Sequence, residues 1–426
     1  MKPVVAVRTP RLSPPAVFQA AAAAPSDASA ATLLNALLQQ AFALGASDLH
    51  FESYADTFRV RARVDGVLQD IATPALDLRD SALARLKVLA RMDIAEKRLP
   101  QDGRFTHLHN GHAMDLRVSS LPTLHGEKLV LRVLDLQQTL PSLRDLGFEA
   151  DQQAHLEHAL QASDGMVLMT GPTGSGKTRS LYTCLQMLNR TEVNIHTLED
   201  PIEVQLPGVN QVQIHERNGL GFAPTLRALL RQDPDVIMIG EIRDTDTADI
   251  ALQAAQTGHL VFSTLHTVDA PSALTRLHHM GVAPHHIAAS VRLVVAQRLL
   301  RLLCTHCRQP WSVDAQAQWL DQLVPNDQRW LAPWMASAKL YEATGCTQCL
   351  DGYRGRIGVF QVMPVSARLQ PLLFAPNHAQ AWTSQTMQAS VRSLRLSGWA
   401  KVLQGLTTVA EVLRHTPADA TETPVP

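Results

Sequence analysis

The feature that most constrains the chain is "GPTGSGKT", Gly171 to Thr178, which follows the apolar run "GMVLMT" and precedes the helix-patterned "KTRSLYTCLQMLNR". It satisfies G-x-x-x-x-G-K-[ST], and a strand before with a helix after is the setting in which that pattern cradles phosphates. Gly171, Gly174 and Gly176 let backbone N–H groups wrap a polyphosphate, with Pro172, Thr173 and Ser175 completing the loop. Lys177 brings a positive charge to the β- and γ-phosphates, and Thr178 offers its hydroxyl to magnesium. The alternative is a glycine-rich turn that happens to precede Lys-Thr, and the strand-loop-helix context weighs against it.

The flanking pattern extends this reading to a domain. "MVLMT", "NIHTL", "VIMIG" and "LVFST" are short apolar runs separated by helical patterns, which predicts a mostly parallel α/β sheet over 139–283. Before it, 32–138 reads as a smaller α+β domain. Leu33, Leu34, Leu37, Leu38 and Ala41 recur at helical spacing, and "DTFRVRARVDGVLQDI" alternates around Asp65-Gly66 as a β-hairpin. A second helix, "DSALARLKVLARMDI", and the strand-like "MDLRVSSL" and "EKLVLRVL" complete it. Residues 1–31 form an Ala/Pro-rich arm, 284–413 a mainly helical region, and 414–426 a frayed tail.

Charge and composition narrow the function. Lys+Arg 38 against Asp+Glu 39 gives a net charge of -1, which lacks the basic excess that nucleic-acid binding requires, so no nucleic-acid partner is expected. No apolar segment approaches the roughly 20 residues that span a bilayer, and no apolar leader opens the chain, which predicts a cytoplasmic protein. Of the five cysteines, four form two C-x-x-C pairs, "CTHC" (Cys304, Cys307) and "CTQC" (Cys346, Cys349). Four thiolates suit tetrahedral structural zinc, whereas a redox pair or idle thiols are the alternatives. Cys184, behind the loop, reads as a buried apolar residue.

Carboxylates cluster in the same domain. Glu241 ends the run "VIMIGEIRD", placed either to hold magnesium and polarise water or as a solvated strand end. Glu199, Asp200 and Glu203 crowd "TLEDPIE" and repel unless a cation relieves them, which a magnesium-nucleotide site would do; an acidic surface loop is the plainer alternative. His259 and His266 bracket "LVFST", and their spacing alone decides little.

Taken in order, "GPTGSGKT", "TLEDPIE", "DPDVIMIGEIRD" and "TGHLVFSTLHT" resemble the secretion ATPases of type II secretion systems and type IV pili. The resemblance runs from about Leu33 to Leu413, because "ASDLHFE", "RVRARVDGVL", "LPQDGRF" and "LRVSSLPTLHGEKLVLRVL" are similar to that family's preceding domain. It implies a RecA-like ATPase core, a PAS-like α+β domain before it, and ATP with Mg2+ as the ligands. It further implies that Glu203 is the general base toward water, that Glu241 supports magnesium and that His266 lies near the γ-phosphate. Arg117 and Arg132 match the arginines with which the family's first domain engages the triphosphate, and Arg104 is a third candidate.

The cysteine pairs, with Zn2+ implied, resemble the assembly motors rather than the retraction motors. The family's architecture implies a homo-hexamer that drives a polytopic inner-membrane platform protein and associates peripherally with that membrane. A membrane-anchored recruiting protein is a further partner in the family, reached through an extra N-terminal domain, whereas here the arm precedes "LLNALL". Gln361 stands where the family commonly has Glu and reads as a tolerated surface change. The expected activity is ATP hydrolysis powering pseudopilus or pilus assembly. The rivals are a nucleic-acid-translocating P-loop ATPase and a nucleotide-dependent regulator that does not hydrolyse.

Overall fold

The computed structural model describes residues 30–134, 139–323, 325–366 and 391–418; the rest of the arm and of the tail lies outside the described residues. The described residues form two compact units, and the first joins residues 30–134 to two short segments, 304–309 and 343–354, that carry the cysteine pairs. In that unit a six-stranded sheet has the order β3-β2-β1-β6-β5-β4. Its strands are β1 (Asp48–Ser53), β2 (Phe58–Val64), β3 (Val67–Ala72), β4 (Gln101–His109), β5 (His112–Thr123) and β6 (Gly126–Leu134), paired antiparallel.

The apolar face of this sheet is built by alternation. Phe58, Val60, Ala62 and Val64 of β2 are buried and the intervening arginines are not. They share a core with Leu33, Leu34, Leu37 and Leu38 of helix α1 (Ala30–Ala43) and with Leu83 and Leu86 of α2 (Arg79–Leu89). Each such leucine contributes about 1.5–3 kcal/mol by burial. Between β2 and β3, Asp65 and Gly66 take φ of 49° and 85°, the left-handed pair that a tight hairpin turn needs. The hairpin and both helices agree with the sequence reading. Strands β1 and β4 were not legible, since "QDGRFTHLH" carries charge and histidine on both sides of its alternation.

The second unit holds a seven-stranded sheet in the order β13-β12-β7-β11-β10-β8-β9. Here β7 is Gly165–Thr170, β8 Ile195–Glu199, β9 Asn210–Gln213, β10 Val236–Ile239, β11 Leu260–Leu265, β12 Val291–Leu303 and β13 Tyr353–Pro364. Strands β12, β7, β11, β10, β8 and β9 run parallel. Every residue of β7 is buried, with Met166 and Leu168 in one core and Val167 and Met169 in the other. That two-sided burial explains why its sequence is a continuous apolar run.

Helices fill the connections: α3 (Ala150–Leu160), α4 (Lys177–Leu188), α5 (Phe222–Leu229), α6 (Thr245–Gln256), α7 (Ala270–His279) and α8 (Pro284–Ser290). The region from Pro284 is less helical than its sequence suggests. It contains α9 (Val313–Asp321), α10 (Pro325–Met335), α11 (Leu394–Leu403) and α12 (Val409–His415), but also the long strands β12 and β13. "VRLVVAQRLLRLL" spaces its arginines three to six apart, which suits a helix, yet it is buried beside β7 and pairs with it from Val291 to Ala296. Among the described residues no helix is long and apolar enough to cross a membrane.

Candidate active site

Parallel register puts the carboxyl ends of β7, β11, β10 and β8 on one edge, so the loops after them meet. After β7 comes the glycine loop. Gly171, Gly174 and Gly176 have φ of 149°, 78° and 87°, and a Cβ at Gly171 would lie 2.5 Å from the Gln297 carbonyl oxygen. Gly176 precedes α4 and supplies no side-chain cap, which leaves the N–H groups of the first turn for an anion. The Ser175 hydroxyl is buried with no hydrogen-bond partner. Lys177 turns back on the loop, its Nζ donating to the carbonyls of Gly171 at 2.8 Å and Pro172 at 3.2 Å. Thr178 is half-buried at the start of α4, while Pro172 and Thr173 are exposed. An orphaned hydroxyl, open helix N–H groups and a folded-back lysine are what a triphosphate would satisfy.

The carboxylates divide their work. Burial lowers the pKa of Lys177 to about 8, while the Glu241 and Glu203 charges act against that fall. Glu241 also lies 3.5 Å from His266 Nε2, joining the turns after β10 and β11. Arg243, two residues on, pairs with Glu241, with Asp200 at 3.4 Å and with Glu216 at 3.9 Å. Glu199 is turned inward, held by Tyr182, by the Thr197 hydroxyl at 2.6 Å and by the Gln211 amide at 3.0 Å. Protein donors thus hold Glu199 and reach Asp200 within the acidic crowd of "TLEDPIE". His259 sits at the opposite end of β11 from His266, its Nδ1 2.9 Å from the Ala254 carbonyl near the end of α6.

Strand β12 supplies two residues that the sequence reading missed. The Gln297 amide oxygen accepts the Ser180 hydroxyl of α4 at 2.8 Å. Arg298 donates to the Val268 carbonyl, behind His266, at 2.6 Å, and its charge depresses the Lys177 pKa. A strand-helix ambiguity hid both, because their place beside the loop follows only from the pairing of β12 with β7. Gln361 is half-buried and its side-chain oxygen accepts the Ala270 N–H at 2.9 Å, so it is a capping residue of α7 rather than a surface one.

In the first unit, cross-strand register lines up Arg104, Arg117 and Arg132 as direct partners on β4, β5 and β6. Asp48 pairs across β1 with Arg132, whose Nε is 3.1 Å from its carboxylate. Like charges placed directly opposite are unfavourable in a sheet. The three arginines form a row across β4, β5 and β6, and Asp48 offsets part of its charge at Arg132.

The four cysteine sulfurs lie within 4.8 Å of one another. Three Sγ–Sγ separations are 3.9, 3.6 and 3.6 Å. Four thiolates about 2.3 Å from a tetrahedral zinc would stand about 3.8 Å apart, so the cluster fits the ion. His306 is exposed and outside the set, and Cys184 is fully buried, as the sequence suggests for that cysteine.

Residues 23–414 match the sequence profile of the family described as "Type II/IV secretion system protein". The chain belongs to that family. The secretion-family relatives include the type IV pilus assembly ATPase PilB of Acinetobacter baylyi, 48% identical over 90% of this chain and 66% of its own length. The type II secretion system ATPase E of Vibrio cholerae is 45% identical over 92% of this chain and 76% of its own. The chain thus spans about two thirds to three quarters of these relatives' lengths. Among solved structures, the Legionella pneumophila ATPase DotB aligns with a TM-score of 0.66 at 21% identity over 92% of this chain and 96% of its own. The pilus retraction motor PilT with bound ADP aligns with a TM-score of 0.58 at 24% identity, covering 89% and 95%. Both support the fold.

Proposed function

We propose that this secretion-family chain is an ATPase that powers pilus or pseudopilus assembly. The observation that carries it is one edge of the parallel sheet where the loops bearing Lys177, Glu203, Glu241 and His266 all emerge, with Glu241 3.5 Å from His266. The glycine loop and the first turn of α4 hold the α- and β-phosphates, and Lys177 leaves its two carbonyls to bind the β- and γ-phosphates. Glu203 takes a proton from water as that water attacks the γ-phosphorus, and the bond to the β-phosphate oxygen breaks, giving ADP and phosphate. His266, beside Glu241, donates to the γ-phosphate oxygens. Thr178 and Glu241 are the residues that would hold magnesium, which neutralises charge on the phosphates when bound.

Arg117 and Arg132 supply guanidinium groups to the transferring phosphoryl. The cysteine cluster would hold zinc as a structural element, which favours the assembly reading over retraction. Six copies form a ring at the inner membrane and turn sequential closures into movement of a polytopic platform protein. The test is enzymatic and cellular together. Lys177→Ala and Glu241→Ala are each expected to lower turnover at least about 100-fold and to abolish filament assembly with the fold intact by circular dichroism. Filaments at normal levels in either variant would overturn the motor reading.

A further inference from the structure

One buried acid has no part in the scheme above. Glu199 ends β8 at 1% exposure, and burial pushes its carboxyl upward against the pull of the Thr197, Tyr182 and Gln211 donors. Tyr182 is also 1% exposed and lies on α4, in the helix that begins with Lys177. Its hydroxyl donates to Glu199, and the same oxygen accepts the backbone N–H of Glu203 at 3.2 Å. A continuous line therefore runs from the phosphate-binding helix through a phenol to the loop that presents Glu203. Burial and the neighbouring carboxylate raise the Tyr182 pKa, so the phenol keeps the proton that it donates.

We propose that Tyr182, oriented by Glu199, is a positioning residue for the carboxylate of Glu203. The proposal rests on the reading of Glu203 as general base. Glu203 is exposed on a loop without regular structure, whereas a base must lie within about 2.6–3.2 Å of the oxygen whose proton it takes. A displacement of about 1 Å costs on the order of 100-fold in rate. Anchoring the loop backbone to α4 fixes the base relative to Lys177, because the two then share one rigid element. The Glu199 carboxylate is what holds the phenol in place, since it accepts the hydroxyl's hydrogen bond and leaves the oxygen lone pairs toward Glu203.

Tyr182→Phe keeps the ring in the core and removes only the hydroxyl. In the full-length protein it is expected to lower kcat about tenfold or more while KM for MgATP stays within about twofold, because the glycine loop and Lys177 are untouched. In a Glu203→Gln background the same change is expected to leave the residual single-turnover rate unaltered, since the group it positions is gone. A packing role for the phenol would instead disturb α4, raise KM along with the loss in kcat, and act equally in both backgrounds; either pattern overturns the proposal. Should Tyr182→Phe fail to fold, Glu199→Gln provides the second reading, with kcat about threefold lower and KM unchanged. An inactive Glu203→Gln beside an unimpaired Tyr182→Phe sinks this proposal alone. Full turnover by Glu203→Gln removes the general-base reading and the proposal together.

Discussion

Lys177 rests in a state that phosphates would change. Burial moves its pKa down to about 8, Glu241 and Glu203 resist, and the Arg298 charge adds to the fall. A bound triphosphate places anions beside the ammonium and raises that pKa, so binding takes up a proton wherever the free lysine is partly neutral. The sign follows directly. Below about pH 8 the lysine is already charged and affinity is flat, while above it each pH unit costs up to about tenfold, because deprotonated enzyme must be reprotonated to bind. KM for MgATP is expected to be about tenfold higher at pH 9 than at pH 7, with proton uptake visible by calorimetry in buffers of different ionisation enthalpy. A KM that stays level across that range would mean that Lys177 is charged throughout. The loop itself was legible because phosphate binding demands glycines and a lysine at fixed spacing. The inward turn of Glu199 was not, since whether a carboxylate at a strand end faces solvent or a phenol is set by what packs behind it.

At the scale of elements, patterns with one buried face were readable and those with two were ambiguous. Helix α1 declared itself through five apolar residues at helical spacing, all of them buried. Strand β12 did not, although it brings Gln297 and Arg298 to the glycine loop and runs on into Cys304. A long apolar run reads equally as helix or strand until its neighbours are known. The cysteine cluster shows the converse: residues 304–309 and 343–354 are distant in sequence, yet the spacing within each pair already singled out the four thiols that the fold brings together. In the second pair, Leu350 packs partly against the first unit's core. Purified protein is expected to contain about one zinc per chain by elemental analysis, and Cys346→Ser to reduce that and lower the thermal midpoint. An unchanged midpoint with no zinc in the wild-type protein would return the four thiols to the idle class.

At the scale of the whole molecule, the proposed motor calls on the arginine row of the first unit's sheet. Of the arginine row, Arg132 is the residue whose removal tests this most cleanly. Its side chain is 66% exposed, and its carboxylate partner Asp48 keeps a second cation in Arg63 at 3.7 Å, so truncation leaves no buried charge alone. Folding should therefore survive, and β6 loses only an exposed arm. If the guanidinium stabilises the transferring phosphoryl, Arg132→Ala is expected to lower kcat about 1,000-fold with little change in MgATP affinity, the pattern of a group engaged mainly in the transition state. Arg132→Lys should recover little, because a point charge does not reproduce a planar fork. Near-normal turnover in Arg132→Ala would leave the row as a solvated sheet face and confine the chemistry to the second unit. Reduced MgATP affinity with kcat unchanged would instead assign Arg132 to ground-state binding.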